Sequence, residues 1–251
     1  MPAVAGLCRE TPLPMKTSRL LLSVAVFATA ALAGSAAFES ARVLPDNPMP
    51  LYPNALKLTG VTQGRAIIAV SVDPEGRVKD QLVLAYTEPR FARASTDALR
   101  DWRFAPARFD GVPVSVQFEL TFEYTLQGAV ISTGINDHFM YDNYGSVGPN
   151  ALAYRPARAD RVDHAPVRVG GDSPKYALAA AQEGVRGVVT VRFYIDEQGN
   201  VRLPSVADPA NAYLTEQAMA AVRDWKFQPV TSRGEPVLVA AQQEFNFGSR
   251  Q

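Results

Sequence analysis

A nine-residue stretch that occurs twice constrains the fold of this chain more than any other feature of its sequence. Residues 98–106 read ALRDWRFAP and residues 221–229 read AVRDWKFQP, so the chain's two tryptophans occupy equivalent places 123 residues apart. Residues 64–124 align with residues 187–247 without a gap, with 16 identities in 61 positions. An internal repeat of this kind predicts two copies of one small module.

The residues before the first module have the layout of an export signal. A basic stretch at 15–19 precedes an uncharged apolar run at 20–33, and small residues then form two A-x-A-like cleavage sites. This layout predicts a cleaved signal peptide that begins at Met15, with residues 1–14 as an over-called start. The alternative is a retained membrane anchor, because residues 20–37 reach the short end of the length that spans a bilayer.

Composition and residue placement argue against several classes of function. A formal net charge of zero and a pI near 6.8 give no general attraction to nucleic acid. The lone Cys8 precedes the predicted signal, so thiol chemistry is not expected in the mature chain. Asp137, His138 and Asp142 match no standard metal-ligand spacing, and both histidines lie between the modules, away from a rigid catalytic scaffold. We therefore predict no enzyme activity, no cofactor, no metal site and no nucleic-acid partner.

Hydrophobic periodicity predicts the same series of elements in each module. In the first module these are a short helix, a β-hairpin, an amphipathic helix and a long final strand, at residues 52–58, 64–86, 91–102 and 112–126. The hairpin turns at an Asp-Pro-Glu-Gly sequence, in which proline presets the bend and glycine accepts positive φ. The second module repeats the alternation of the strands and the apolar stripe of the helix.

The predicted fold class is α+β, with each module a three-stranded antiparallel sheet, one packed helix and a short N-terminal helix. The modules are assigned to residues 45–127 and 165–248, and residues 128–164 to a linker. Part of 163–169 is a candidate extra edge strand. The shared aromatic residues and prolines are predicted to be structural core residues: Trp102, Phe104, Pro106, Trp225, Phe227 and Pro229.

The order of these motifs resembles one known family. A Tyr-Pro pair at 52–53, an Asp-x-x-Gly turn at 73–76, the Arg-x-Trp-x-Phe-x-Pro motif at 100–106 and Gly-x-Pro-Val at 111–114 are similar to the C-terminal domain of TonB. The resemblance covers both modules. It implies an α+β module in the periplasm of a diderm bacterium that binds a short peptide of an outer-membrane transporter by adding it as a strand. It also implies work transmitted from a proton-driven motor in the inner membrane.

Three departures distinguish this chain from an energy transducer resembling TonB. The apolar segment at 20–37 has no histidine, and only about ten residues separate it from the first module, where a transducer has a long Pro-Glu/Pro-Lys linker. In the second module, Tyr176-Ala177 also replaces the Tyr-Pro pair. The chain is therefore predicted to carry the peptide-binding end of the machine twice, without its coupling to the motor.

We thus predict a periplasmic, non-enzymatic interaction protein that pairs an extended peptide with an exposed sheet edge. The candidate edges are the last strands of the two modules, with candidate partner-binding residues Val114, Val116, Phe118, Val237, Val239, Ala241 and Gln243. The expected partner is a protein or peptide of the cell envelope, with an outer-membrane transporter among the candidates, and a homodimer is one way to cover open edges. Two alternatives stay open: an energy transducer component anchored in the inner membrane by residues 20–37, and a structural envelope protein without a peptide groove.

Overall fold

Both copies of the repeat fold as antiparallel sheets with a helix on one face, which confirms the predicted α+β class. The computed structural model describes residues 38–134, 151–157, 161–177, 182–206 and 211–248. The predicted signal or anchor therefore lies outside the described residues, as do Asp137, His138 and Asp142. Within the described ranges, no helix combines the length and the apolar character needed to cross a membrane.

The helices and strands of the two copies follow the same order. In the first copy the helices are α1 (Asn54–Lys57) and α2 (Pro89–Leu99). Its strands are β1 (Phe38–Glu39), β2 (Arg42–Val43), β3 (Gln63–Val72), β4 (Val78–Tyr86), β5 (Phe104–Ala105), β6 (Ala107–Phe109), β7 (Val112–Val114), β8 (Val116–Thr125) and β9 (Gly128–Gly134). In the second copy the helix is α3 (Ala212–Arg223). Its strands are β10 (Arg168–Gly170), β11 (Gly187–Ile195), β12 (Val201–Val206), β13 (Lys226–Phe227), β14 (Thr231–Ser232), β15 (Glu235–Pro236) and β16 (Val239–Phe247).

The two main sheets differ by one strand. The second sheet has the predicted three strands in the order β12-β11-β16, but the first has four, in the order β4-β3-β8-β9. Strand β9 comprises residues that the sequence analysis placed in the linker, and it folds back antiparallel on β8 from Thr125↔Gly128 to Glu119↔Gly134. The prediction of three strands is therefore wrong for the first module, because a two-residue turn lets the chain continue its own sheet.

The predicted long final strand is also divided in two. Its first part, β7, pairs with β6 in a small sheet of order β1-β6-β7, and only β8 joins the main sheet. The second module repeats this division as β15, which pairs with β14, and β16. The candidate edge strand near 163–169 is found as β10, which pairs with β13. Of the second module's predicted short helix, residues 178–181 lie outside the described residues.

Each module has its own core between the helix and the sheet. Phe91 and Leu99 of α2 are fully buried in the first core, and Trp102, which follows the helix, is buried beside them. Leu214 and Val222 of α3 take the same places in the second core. The predicted core residues Phe104 and Trp225 are likewise buried, and Phe227 is half-buried against the second core. Of the two predicted core prolines, Pro106 is half-buried and Pro229 is exposed.

The hairpin turn of each module is held against the segment after its tryptophan. Gly76 has a φ of +78°, and a Cβ on it would lie 2.0 Å from the carbonyl oxygen of Phe104. The N–H of Phe104 donates to the carbonyl of Gly76 at 2.9 Å. Gly199 and Phe227 repeat this contact, with the same 2.0 Å and 2.9 Å distances. The Asp-x-x-Gly and Trp-x-Phe motifs recur together because they touch.

The two sheets pack against each other through the faces that carry no helix. A third buried cluster joins residues of both modules: Ile67, Ala69, Leu82, Leu84, Ala85, Tyr194, Leu203 and Leu238. Across this interface Arg202 Nη2 lies 2.5 Å from Asp80 Oδ1, and the Gln117 side chain donates to the carbonyl of Pro204 at 2.9 Å.

One residue of the connecting segment joins both modules at this interface. Tyr154 stacks on Tyr86 of the first module with ring centroids 5.0 Å apart. Its hydroxyl donates to the carboxylate of Glu197 in the second module. Burial, followed by the contact with Glu197, holds the pKa of Tyr154 well above its usual value. The interface is therefore formed by apolar contact and specific polar bonds together.

Candidate functional site

The outer edge of β16 is the exposed sheet edge that the sequence led us to seek. β16 pairs with β11 on one side from Gly187↔Phe247 to Ile195↔Val239. On its other side, Ala157 forms a single parallel bridge with Val239 and donates its N–H to the carbonyl of Leu238 at 2.7 Å. Beyond that bridge, none of the strands in the described residues pairs with the outer side of β16.

The bridge to Ala157 shows which backbone groups of β16 face outward. The carbonyl of Leu238 points away from β11, and backbone direction alternates along a strand. The N–H and C=O groups of Gln242, Glu244 and Asn246 therefore also point outward. One of these groups has an internal partner, because the side-chain amide of Gln243 donates to the carbonyl of Glu244 at 2.8 Å.

A groove of about 1400 Å³ runs beside this edge and is lined by residues 239–248 throughout. Three aromatic side chains of the second core border the groove: Phe193, Trp225 and Phe227. The opposite wall is the segment around 162–166, with Arg168 and Tyr176. The guanidinium of Arg168 lies 4.5 Å from the ring centroid of Trp225, which places a cation beside an otherwise aromatic surface.

The wall of the groove is tied to the module by hydrogen bonds. The Asp163 carboxylate accepts the backbone N–H groups of Arg233 and Gly234, each at 2.8 Å. These bonds, that from Gly234 most strongly, hold the pKa of Asp163 below its usual value. The Asp163 N–H also donates to the carbonyl of Thr231 at 2.8 Å. In addition, the N–H of Gln228 donates to the carbonyl of Val167 at 2.9 Å. The groove is thus a preformed feature with a fixed wall.

The equivalent edge of the first module is closed by β9. β9 covers β8 over seven residue pairs, and its apolar side chains Ala129 and Ile131 pack on the first core. Ile131 lies opposite Phe122, which is 0 % exposed, whereas the equivalent Phe245 of the open edge is only half-buried. Among the described residues, the edge is therefore filled by a strand in the first copy and left open beyond Val239 in the second.

The predicted partner-binding residues of the first module do not form a shared edge. Val114 lies on β7, opposite Ala107 of the small sheet. Val116 and Phe118 lie on β8 and pack on the first core, where the Phe118 ring is 5.4 Å from that of Phe104. Both also border a separate cleft of about 1120 Å³ between the modules, which carries charged groups of both signs.

The predicted residues of the second module come together more closely. Val239, Ala241 and Gln243 lie on β16 and line the groove. Val237 precedes the strand, half-buried, and donates its N–H to the carbonyl of Val230 at 2.9 Å. Sequence reasoning missed the groove's wall and its aromatic border. The signal that could have indicated them is the replacement of Phe118 and Leu120 in the first copy by Ala241 and Gln243 in the second.

One family model matches this chain over both modules, and known proteins match part of it. A family model described as Gram-negative bacterial TonB protein C-terminal matches residues 48–126 and 172–248. The protein TonB of Vibrio cholerae serotype O1 is 26% identical over 104 residues, which are 38% of this chain and 42% of that protein. The chain therefore matches less than half the length of that relative. The solution NMR structure of the Pseudomonas aeruginosa TonB CTD is 25% identical, covers 34% of this chain and 88% of that chain, and gives a TM-score of 0.30.

Proposed function

The chain belongs to the TonB C-terminal family, with two copies of the domain, and we propose that its second copy binds an extended peptide of a cell-envelope protein by strand addition. In this proposal the protein is a non-enzymatic periplasmic interaction protein linked to outer-membrane transport. The partner is a peptide segment of an envelope protein, with an outer-membrane transporter as the first candidate. The two domains span residues 45–127 and 165–248 in this proposal.

The observation that carries this proposal is the outer side of β16, which no strand of the described ranges pairs beyond the Ala157 bridge, beside a groove with a hydrogen-bonded wall. Gln242, Glu244 and Asn246 offer donors and acceptors that an added strand can satisfy, and each such hydrogen bond contributes about 0.5–1.5 kcal/mol net. A side chain of the added strand can reach the groove at every second position. The pairing of β9 with β8 supports the proposal, because the equivalent edge of the first module already holds a further strand.

Replacing Glu244 by proline tests the proposal at one backbone group. Its N–H faces outward, so Glu244→Pro removes a hydrogen bond to the added strand and leaves the pairing with β11 in place. Glu244→Thr is the matched control, since it removes the same carboxylate and keeps the N–H. The full chain and both variants are used as bait in envelope extract, and partners are identified by mass spectrometry.

We expect the wild type and Glu244→Thr to retain the same partner, and Glu244→Pro to lose about two- to tenfold in affinity, equivalent to roughly 0.5–1.4 kcal/mol. Circular dichroism of the variants checks that they are folded. Equal retention by the proline and threonine variants would contradict strand addition at β16. Failure of every form to retain an envelope protein would favour the structural role without a peptide partner.

The mature N-terminus decides between a free periplasmic protein and a membrane-anchored component. In our proposal the export signal is removed, so the intact mass of the protein from the envelope fraction should correspond to a start near Gly34 or Phe38. A mass that includes residues 20–37, together with recovery in the inner membrane, would instead support the anchored energy transducer component.

A further inference from the structure

We propose that the β16 groove selects its peptide by one bulky apolar side chain, which fills the space left beside Ala241 and Gln243. This inference rests on the proposed function and adds to it the chemistry of the ligand. It concerns the side chain that faces the groove, whereas strand addition itself depends on the backbone.

Three differences between the repeats shape this space. In the first module the corresponding residues are Phe118, whose ring packs 5.4 Å from Phe104, and Leu120, which is 0 % exposed. Alanine and glutamine take their places on β16. Alanine is too small to reach the equivalent aromatic ring, Phe227, and the ring of Phe193, which replaces Val70 opposite this position, contacts Phe227 instead, with centroids 5.8 Å apart. The Gln243 amide bonds the backbone of Glu244, so the place of Leu120 is left without an apolar side chain.

The groove consequently reaches aromatic rings that are closed off in the first module. Phe227 and Trp225 both line the groove, and their ring centroids lie 6.1 Å apart. The nearby cation, Arg168, lies against the Trp225 ring. Asp163 on the opposite wall already accepts two backbone N–H groups. Aromatic surface favours an apolar side chain, and the half-buried ring of Phe227 leaves part of that surface for a bulky side chain to cover.

Strand β9 supplies the register and direction of the peptide. On β8, Ala129 lies opposite Tyr124, Ile131 opposite Phe122 and Thr133 opposite Leu120. The equivalent positions of β16 lie 123 residues further along the chain. In the same register, the second, fourth and sixth residues of an antiparallel heptapeptide would lie opposite Phe247, Phe245 and Gln243. These positions share the face of β16 that carries Ala241. The sixth residue is therefore the one whose side chain enters the space.

Two synthetic heptapeptides test this assignment on the full chain. One has the sequence of β9, Gly-Ala-Val-Ile-Ser-Thr-Gly, and the other has phenylalanine in place of the threonine. Their affinities are measured by NMR titration of the isotope-labelled protein. We expect the phenylalanine peptide to bind at least about tenfold more tightly, because its ring is removed from water.

Three variants test whether the preference for the phenylalanine peptide arises in the space beside Ala241 and Gln243. Ala241→Phe and Gln243→Leu each restore the residue of the first module, and each should reduce the preference for phenylalanine to about twofold or less. Val188→Phe adds the same ring at an exposed position of β11 that does not line the groove, and it should leave the preference intact. Because the first two variants are independent, one that fails to fold does not remove the test.

The outcomes separate this inference from the proposed function. Chemical-shift changes along β16 with equal affinities for the two peptides would overturn the selective space and support strand addition. A preference that survives both Ala241→Phe and Gln243→Leu would likewise overturn it. No shift with either peptide at millimolar concentration would count against strand addition at β16, and against this inference with it.

Discussion

Each tryptophan of the repeat connects the segment before its module to the core. The indole N–H of Trp102 donates to the carbonyl of Pro48, and that of Trp225 to the carbonyl of Asp172, each at 2.8 Å. The rings themselves are 0 % and 5 % exposed. Tryptophan suits this position because its ring fills the core and its indole N–H fixes the preceding chain.

A buried polar pair in the first core has an apolar counterpart in the second. The Ser95 hydroxyl bonds that of Tyr124 at 2.7 Å and also donates to the carbonyl of Phe91 at 2.9 Å. Burial raises the pKa of Tyr124 to about 12, although the bond to Ser95 opposes this rise. The repeat places Ala218 and Phe247 at the equivalent positions, so both partners were replaced together.

A double-mutant cycle on this pair should therefore be non-additive. We expect Tyr124→Phe and Ser95→Ala each to lower the free energy of unfolding by about 1 kcal/mol, since each leaves a buried hydroxyl with one partner fewer. The double variant should lose at least about 0.5 kcal/mol less than the sum of the two. Urea unfolding of the four proteins measures this; strict additivity would show that the two hydroxyls are not coupled.

At the scale of elements, the contact between the hairpin turn and β13 should make Gly199 far more sensitive to substitution than Gly234. Gly199→Ala would place a Cβ at positive φ and 2.0 Å from the Phe227 carbonyl oxygen. Gly234 also has positive φ, +82°, but its added Cβ would meet no atom within 4 Å. Gly234→Ala should cost about 1–2 kcal/mol from the left-handed backbone.

We expect Gly199→Ala to cost at least about 2 kcal/mol more than Gly234→Ala, because the turn or β13 must shift. The comparison is made by denaturant unfolding of the two variants. Similar losses for both would mean that backbone conformation alone accounts for the glycines of the repeat.

The regular elements were predictable because each buries one face. The alternation in β3, the apolar stripe of α2 and the turn at Gly76 all leave a periodic or compositional signal. Strand β9 was not predicted, because residues 126–127 are not typical turn formers and a seven-residue run gives weak periodicity. Whether a strand edge is open depends on where other segments lie, so the alternation of β16 alone could not reveal the groove, and only its comparison with β8 offered a signal.

At the scale of the whole molecule, the interface between the sheets should make the two modules unfold together. Leu84 is 0 % exposed within the cluster that both modules share. Each module contains one tryptophan, so 5-fluorotryptophan gives one fluorine NMR signal for each core. We expect both native signals to disappear at the same denaturant concentration in the wild type.

Introducing a charge at the interface should separate these transitions. Leu84→Asp buries an unpaired carboxylate at a cost of about 3 kcal/mol or more, which is large compared with the stability of a small module. Leu84→Met, which conserves volume and apolarity, should keep the transitions coincident. Two transitions in the wild type, or coincident transitions in Leu84→Asp, would contradict a cooperative interface.

The outer edge of β16 also has a consequence for association between molecules. β9 is an outer strand of the first sheet, as β16 is of the second, and its sequence Gly-Ala-Val-Ile-Ser-Thr-Gly carries no charge. Pairing of this edge with β16 of a second molecule would be heterologous, so each added copy would present a new free edge and growth would have no natural end. A peptide seated on β16 would stop that growth at its first step. Binding of its ligand would therefore also act as protection against filament formation.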